Sequence, residues 1–185
     1  MIEAATTLFR KRGYEGVGVA ELLAVSGAPR GSLYFHFPGG KEQIAIEAVR
    51  KAGETVAEGI RERGRTTASL EEYIDTACTG WAENLDASDF EKGCIIALVG
   101  LEAASASPAL KDEAAAAFAS WEEELTDVAC AKGLGEPQAR RFASAFIGSV
   151  EGAIMLARTR RQSNAMLHAA DAMTAYARSL RAECQ

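Results

Sequence analysis

Five residues in one short segment could bind an extended polyanion. Arg30 can donate to a guanine edge or a phosphate, and the hydroxyls of Ser32 and Tyr34 can donate to phosphate oxygens. Gly31 allows a backbone to approach closely, and His36 is expected beside these residues on the outer face. These residue types within seven positions favour recognition of double-stranded DNA.

The surrounding sequence predicts a helix-turn-helix that would present this segment. We expect a helix over Val19–Val25, a break at Ser26-Gly27-Ala28-Pro29 and a second helix from Arg30. Such a second helix fits the major groove, which is about 12 Å wide. Any helical hairpin with a polar surface gives a similar pattern, so the spacing alone leaves both interpretations open. The side chains expected to lock the two helices together are Leu22, Leu23, Leu33 and Phe37.

The whole chain is predicted to be all-α, with about nine helices. Its four prolines stand at plausible boundaries, and alternating strand patterns are absent. Three short helices form an N-terminal head and a larger bundle follows, with the polar stretch Arg61–Thr67 expected to be a connector. The predicted helices are Ile2–Arg12, Val19–Val25, one from Arg30, one from Lys41 into the sixties, Leu70–Leu85, Cys94–Leu101, one from Pro108 towards Gly133, one from about Pro137 to Arg161, and Asn164–Glu183.

The segment Arg30–Phe37, followed by Gly39-Gly40-Lys41-Glu42, resembles the signature of the TetR family of bacterial transcriptional repressors. The match covers residues 2–50, and beyond them the resemblance is architectural. The upstream pairs that are similar to the family's first helix and the turn after it are Ala4-Ala5, Leu8-Phe9 and Gly13-Tyr14.

The resemblance implies a division of the chain into two domains. Residues 1–45 would form a helix-turn-helix DNA-binding domain, and residues 46–185 a ligand-binding and dimerisation domain. The predicted DNA contacts are base edges for Arg30 and Gly31 and phosphates for Ser32, Tyr34, His36 and Lys41.

Within the family, the segment Gly27–Ala45 is most similar to the branch that contains the lincomycin-resistance and flavonoid-responsive repressors. Gly93-Cys94 and Glu151–Arg158 are also similar to that branch. Many members carry Thr or Ser where this chain has Val17-Gly18, so a phosphate contact there is either lost or made by backbone N–H groups. The loop Pro38-Gly39-Gly40 is one residue longer than the common form.

The net charge of −6 is unevenly distributed. Residues 1–52 carry seven Lys and Arg against five acidic residues, a balance of +2, whereas the other 133 residues carry 13 against 21, a balance of −8. A basic head on an acidic body fits a polyanion binder with a separate second function. Because no apolar run approaches the ~20 residues that span a bilayer and the N-terminus does not resemble a signal peptide, we expect a cytoplasmic protein without a membrane partner.

Neither a metal site nor an enzyme is expected. The cysteines lie 16, 36 and 54 residues apart without a CxxC pair, and the chain has two histidines. Motifs of serine hydrolases, zinc proteases and P-loop proteins are absent, and no cofactor is implied. Cys94 is either a redox-sensing thiol at a helix start or a small buried side chain, and His168 is expected on the surface or between subunits. The four cysteines are Cys78, Cys94, Cys130 and Cys184.

Aromatic residues at helical spacing predict a pocket for a small lipophilic effector within residues 70–160. The same stripe is equally consistent with an ordinary core, so Trp81, Phe118, Trp121, Phe142 and Phe146 leave both interpretations open. The predicted lining comprises Trp81, Cys94, Leu98, Trp121, Phe146 and Val150.

The two C-terminal helices, Gln138–Arg161 and Asn164–Arg181, are predicted to form a homodimer. The first is apolar on two sides and must be covered on both, and its small residues allow a second helix to approach to ~8–10 Å. The resemblance implies the same four-helix arrangement. A two-fold axis would place the heads ~34–36 Å apart, or a multiple, on a near-palindromic operator. The predicted interface comprises Ala145, Gly148, Gly152, Leu156, Leu167, Ala170 and Met173.

These features favour a ligand-responsive repressor that releases its operator when an effector binds the C-terminal domain. The alternative is a helical small-molecule-binding or scaffold protein that does not regulate by binding DNA.

Overall fold

Glycine, proline and serine residues separate the helices of this chain. The computed structural model describes residues 1–103 and 107–183, and these residues form nine α-helices and no strand. The predicted all-α fold is therefore confirmed. None of the described helices is both long enough and apolar enough to cross a membrane. The helices are α1 (Ile2–Arg12), α2 (Val19–Ser26), α3 (Arg30–His36), α4 (Gly40–Thr66), α5 (Leu70–Ala87), α6 (Ile95–Ala103), α7 (Pro108–Ala131), α8 (Glu136–Arg160) and α9 (Asn164–Ala182).

The end of α4 differs from the prediction. The expected connector Arg61–Thr67 is wrong, because the chain is helical up to Thr66. A side chain at Gly64 would collide with Val128, so this part of the helix is packed against a neighbour, and its polar residues are the outer face of an amphipathic helix. The turn comes later, where the Ser69 hydroxyl accepts a hydrogen bond from the backbone N–H of Glu72 at 3.1 Å and caps α5.

The helices pack into two compact units, and each unit draws on two stretches of chain. The first comprises Met1–Thr55 and Cys94–Phe118, and the second comprises Val56–Gly93 and Ala119–Gln185. Helices α4 and α7 therefore contribute to both units. The domain boundary predicted at residues 45 and 46 falls inside α4, which is continuous there.

In the first unit, α1 packs against α2 and α6. Phe9 and Leu22 are fully buried, and burying each such side chain stabilises the fold by about 1.5–3 kcal/mol. Gly13 ends α1 with φ 72°, and its N–H donates to the carbonyl of Phe9 at 2.9 Å. The carboxylate of Glu102 on α6 then accepts a hydrogen bond from the backbone N–H of Glu15 at 2.8 Å. Helices α1 and α6 thus both fix the turn that follows α1.

The first unit also contains a tight crossing of α4 and α7. The guanidinium of Arg50 donates two hydrogen bonds to the Glu113 carboxylate, at 3.0 and 2.7 Å. One turn further on, a Cβ at Gly53 would lie 2.9 Å from the Cβ of Ala117, closer than real Cβ atoms approach. Glycine is required at position 53 for the two backbones to come this close.

The second unit repeats this pair of contacts eleven residues further along each helix. The Nε of Arg61 lies 3.0 Å from a carboxylate oxygen of Glu124, and Gly64 lies against Val128. Eleven residues make three helical turns, so each contact of the second pair falls on the same helix face as its counterpart in the first.

Elsewhere in the second unit, α9 packs against α5 and α8. The face of α9 that carries Met166, Met173 and Leu180 is buried. At the far end of this face, the Arg181 guanidinium donates to the Glu71 carboxylate on α5 at 2.5 and 3.1 Å.

The turn after α5 holds two consecutive residues, Asp89 and Phe90, in the left-handed region at φ 50° and 59°. Non-glycine residues adopt this conformation at a cost, and the surrounding contacts must hold them there. The guanidinium of Arg158 on α8 donates to the carbonyls of Phe90 and Glu91 at 3.3 and 3.1 Å. Arg161 forms an ion pair with Asp89. Two arginines at the C-terminal end of α8 therefore hold this turn in place.

Candidate functional site

Helices α2 and α3 form the predicted helix-turn-helix. Gly27 ends α2 in the left-handed conformation, with φ 66°, where glycine carries no steric penalty. Leu22 and Leu33 are fully buried, whereas Leu23 and Phe37 are half-buried. The hairpin therefore has a buried inner face at Leu22 and Leu33, and the other side of α3 is exposed.

The outer side of α3 carries the predicted polar residues. Arg30, Gly31, Tyr34 and His36 are exposed, and Ser32 is half-buried. A Cβ at Gly31 would meet nothing within 4 Å, so an external backbone can approach this point closely. The arrangement can donate several hydrogen bonds to one long, narrow partner. Their individual roles stay predictions.

The sequence analysis missed Phe35, which is 82% exposed in the middle of α3. Its ring lies 5.0 Å from that of His36 in an edge-to-face arrangement. Each helical residue turns by about 100°, so Phe35 lies about 200° from the buried Leu33. That angle was available from the sequence and places the ring at the centre of the exposed face.

Lys41 is half-buried at the start of α4, and its ammonium lies 4.0 Å from the centroid of the Tyr14 ring. Burial raises the pKa of the Tyr14 hydroxyl, and the carboxylates of Glu42 and Glu15 raise it further. At the start of α2, Val17 is buried and Gly18 is the exposed N-cap residue without a side-chain cap.

The second unit contains a cavity of about 210 Å³ between α4, α5, α7 and α8. Trp81, Trp121, Phe146 and Val150, four of the six residues predicted to line a pocket, lie in its wall. Cys94 and Leu98 do not line this cavity, and both belong to the first unit.

The cavity wall also includes residues that the sequence analysis did not select. Tyr73 is buried, and its ring centroid lies 6.0 Å from that of Phe146. Burial raises the pKa of the Tyr73 hydroxyl to about 12, and the nearby Arg63 guanidinium counteracts part of that rise. Arg63 and Glu151 are the charged members of the lining. Arg63 was hidden in the sequence because it lies in the stretch assigned to a connector.

Phe142, for which the sequence left a pocket or a core position open, is fully buried. It stacks on Phe146 with ring centroids 5.5 Å apart, so it belongs to the core.

Among the cysteines, Cys94 is buried. Burial raises the pKa of the Cys78 thiol to about 11. His168 is exposed on α9, and Cys184 lies outside the described residues. Within those residues, no cluster of three or more potential metal ligands occurs.

Helices α8 and α9 expose part of the predicted dimer seam. Gly148, Leu156 and Leu167 are exposed, and Ala145 and Gly152 are half-buried. Ala170 and Met173 are 8% and 5% exposed. These two residues are thus largely covered within the protomer, where α9 packs on α5 and α8. The exposed part of the predicted seam is formed by the other five residues, and the interface stays a prediction.

A helical hairpin that presents an exposed, donor-bearing helix, together with a helical unit that contains an apolar cavity, is the arrangement expected of a helix-turn-helix regulator of transcription. Residues 1–48 match the family described as bacterial regulatory proteins, tetR family. Residues 71–172 match the family described as transcriptional regulator LmrA/YxaF-like, C-terminal domain. The chain belongs to the TetR family of transcriptional regulators, and the predicted branch is confirmed.

Curated relatives and solved structures agree with this assignment. The chain is 32% identical over 172 residues to the HTH-type transcriptional regulator LmrA of Bacillus subtilis, covering 91% of this chain and 89% of that protein. It is 31% identical to YxaF of the same organism, covering 90% and 87%. A TetR-family regulator from Agrobacterium tumefaciens superposes with a TM-score of 0.80 at 25% identity, covering 93% and 92%. These families are regulators rather than enzymes, as predicted.

Proposed function

We propose that this regulator is a repressor whose operator is released when a small lipophilic molecule binds the cavity of the second unit. The observation that carries the proposal is the pairing of an exposed, donor-bearing α3 with a fully buried hairpin interior at Leu22 and Leu33. A helix held in this way can enter the major groove without a change in its own packing.

In the proposed complex, α3 reads the bases and its flanks hold the backbone. Arg30 donates to a guanine edge, and Gly31 admits the DNA to the helix surface. The exposed ring of Phe35 packs on a thymine methyl group, which is the apolar feature of the major groove. The phosphate contacts are assigned to Ser32, Tyr34, His36 and Lys41.

The cavity supports an effector of mainly apolar character. Aromatic and aliphatic side chains form most of its wall, and Arg63 and Glu151 supply charge. A ligand shifts the regulator away from DNA only by the difference between its affinities for the DNA-bound and the DNA-free conformations. A molecule that fills the cavity in one of these conformations and not in the other meets that requirement.

The exposed seam of α8 and α9 supports a homodimer, the state in which regulators of this family act. Met155 and Leu167 are 61% and 51% exposed, and a Cβ at Gly148 or Gly152 would meet nothing within 4 Å. Open space above two glycines of one helix allows a second helix to approach closely. Two-fold symmetry then requires a near-palindromic operator. Because the operator lies on the bacterial chromosome, we place the regulator in the cytoplasm.

A gel-shift titration with the DNA upstream of the regulator's own gene and its neighbours tests this function. We expect retardation that survives excess unrelated DNA and that weakens steeply as salt rises, because phosphate contacts release counterions. A lipophilic effector should reverse the shift. Absence of specific retardation at low salt would instead support a helical small-molecule-binding or scaffold protein.

A further inference from the structure

Arg63 differs from the arginines on either side of it along α4. Arg61 pairs with Glu124 at 3.0 Å and Arg65 pairs with Glu62 at 3.4 Å. Arg63 is half-buried, and none of the ion pairs formed among the described residues includes it. Its position in the cavity wall places a positive charge where most of the surface is apolar. Partial burial of an unpaired charge is costly, so this position needs an explanation.

The surroundings of the guanidinium leave room for a partner. Its interaction with the Tyr73 hydroxyl uses a small part of its capacity, because a guanidinium has five N–H donors. One terminal nitrogen lies 3.6 Å from the place a Cβ at Gly80 would occupy, so the absence of a side chain there keeps space open beside the charge. Within the described structure, the free donors of Arg63 can be satisfied by a molecule inside the cavity.

Glu151, the second charged residue of the wall, forms no ion pair with Arg63 among the described residues and has an interaction of its own within the chain. The remaining wall includes four aromatic rings, those of Tyr73, Trp81, Trp121 and Phe146. Flat rings of this kind favour stacking against a flat ligand.

We propose that the effector is a planar aromatic molecule with one anionic group, which Arg63 binds while the ring system lies against Trp81 and Trp121. The inference rests on the proposed function, because it assigns the chemistry of the same effector site. A guanidinium binds a carboxylate or sulfonate through two parallel hydrogen bonds. An aromatic cation would be repelled by the same charge, so the site selects by the sign of the ligand's charge.

A matched pair of fluorescent probes tests the proposal on the full chain. The anion 8-anilinonaphthalene-1-sulfonate and the neutral N-phenyl-1-naphthylamine share one ring system and differ by the sulfonate. Both of the chain's tryptophans line the cavity, so energy transfer from tryptophan to the probe detects binding, and the Arg63 variants described next assign the binding to this site. We expect the wild-type protein to bind the anion roughly 10- to 100-fold more tightly than the neutral probe, the range expected for hydrogen bonds to a charged group.

Substitution of Arg63 should remove the preference for the anionic probe and leave the affinity for the neutral probe unchanged. In Arg63→Gln, the two probes should bind with similar affinity, and Arg63→Lys should retain an intermediate preference because the charge remains without the planar fork. Arg65→Gln is the matched control, since it removes the same charge from an exposed position of the same helix. It should behave as wild type.

Several outcomes would overturn the inference. They are equal binding of the two probes by the wild-type protein, an unchanged preference in Arg63→Gln, and tighter binding of the cationic dye thioflavin T than of the anion. The first and third need no variant, so a folding defect in Arg63→Gln does not affect them. A gel shift run in parallel separates the two proposals. Probe binding with charge preference but without operator release would contradict the effector role and leave the anion site supported.

Discussion

The ammonium of Lys41 lies 4.0 Å from the centre of the Tyr14 ring, and this contact ties the start of α4 to the turn after α1. The attraction of a cation to an aromatic face contributes about 0.5–1 kcal/mol at an exposed site. It also limits where the ammonium can go. Lys41 is thus held near the C-terminal end of α3, where the proposed phosphate contact would be made.

Lys41→Gln should weaken binding to specific and unrelated DNA by a similar factor. The reason is that a phosphate contact carries no base information, and the slope of log K against log salt should fall by about 1 for each half-site, about 2 for the dimer. Fluorescence anisotropy over a salt series measures both quantities. Lys51→Gln, at an exposed position of the same helix, is the control. Equal slopes for Lys41→Gln and wild type would mean that Lys41 serves only to pack on Tyr14.

Arg30→Ala, unlike Lys41→Gln, should weaken binding to the operator more than binding to unrelated DNA. Loss of a bidentate contact to guanine should cost ~1–3 kcal/mol per half-site and relax specificity at one base pair of each half-site. The measurement is the ratio of operator to unrelated-DNA affinity, followed by a set of operators with single base-pair changes. A ratio equal to that of the wild type would contradict the base-reading role of Arg30.

Phe35 should read a thymine methyl group. Replacing each operator thymine in turn by uracil removes one methyl group, and one replacement should weaken wild-type binding by a few-fold, in line with the ~0.8 kcal/mol of a buried carbon. Phe35→Ala should be insensitive to that same replacement. A double-mutant cycle between protein and DNA isolates the contact. If the variant and the wild type respond equally to every uracil, the ring does not touch a methyl group.

Gly152→Glu should produce monomers with little affinity for the operator. A Cβ at this position meets nothing within 4 Å in the protomer, so the new charge leaves the single chain intact and acts on the seam. Sedimentation velocity and gel shift are the measurements, and Ala116→Glu, at an exposed position of α7, is the control. Wild-type protein that is monomeric at micromolar concentration yet binds a palindrome tightly would refute the dimer.

The Glu71–Arg181 pair should make stability depend on pH in acid. The hydrogen bond from Arg181 lowers the pKa of Glu71 below its ordinary value of 4.5, and burial opposes this. A lowered pKa means stabilisation above the unfolded value and loss as pH falls through the folded value. Glu71→Gln should reduce Tm at pH 7 by about 2 °C, and the difference from wild type should shrink as pH falls below 4.5 towards the lowered pKa of Glu71. A difference that does not shrink at any acid pH at which the protein is still folded would assign the effect to packing. Asp75→Asn, exposed on α5, is the control.

Helix positions were predictable where local chemistry sets them. Gly13, Gly27 and Pro108 mark boundaries within a residue or so of the observed ones, because backbone freedom at glycine and the missing N–H of proline act on the chain itself. The stretch containing Arg63 was misread, since a run of polar residues looks the same in a connector and on the outer face of a helix.

The cavity and the dimer seam depend on neighbours that a single stripe does not reveal. A helical wheel correctly groups Ala170 with Met173, but it cannot tell whether a second helix of the same chain or of another chain covers them. The wall around Arg63 requires four helices to converge. Sequence spacing along any one of them does not contain that information.

The eleven-residue repeat between α4 and α7 constrains how this protein can change in length. Deleting one residue between Gly53 and Arg61 would turn everything downstream on α4 by about 100°, so that Arg61 would no longer face Glu124 and Gly64 would no longer face Val128. A deletion in α7 could restore the register of the two helices only if it fell between the same two pairs of contacts. Insertions and deletions that survive in close homologues should therefore avoid residues 53–64 and 117–128, or occur there in both helices together.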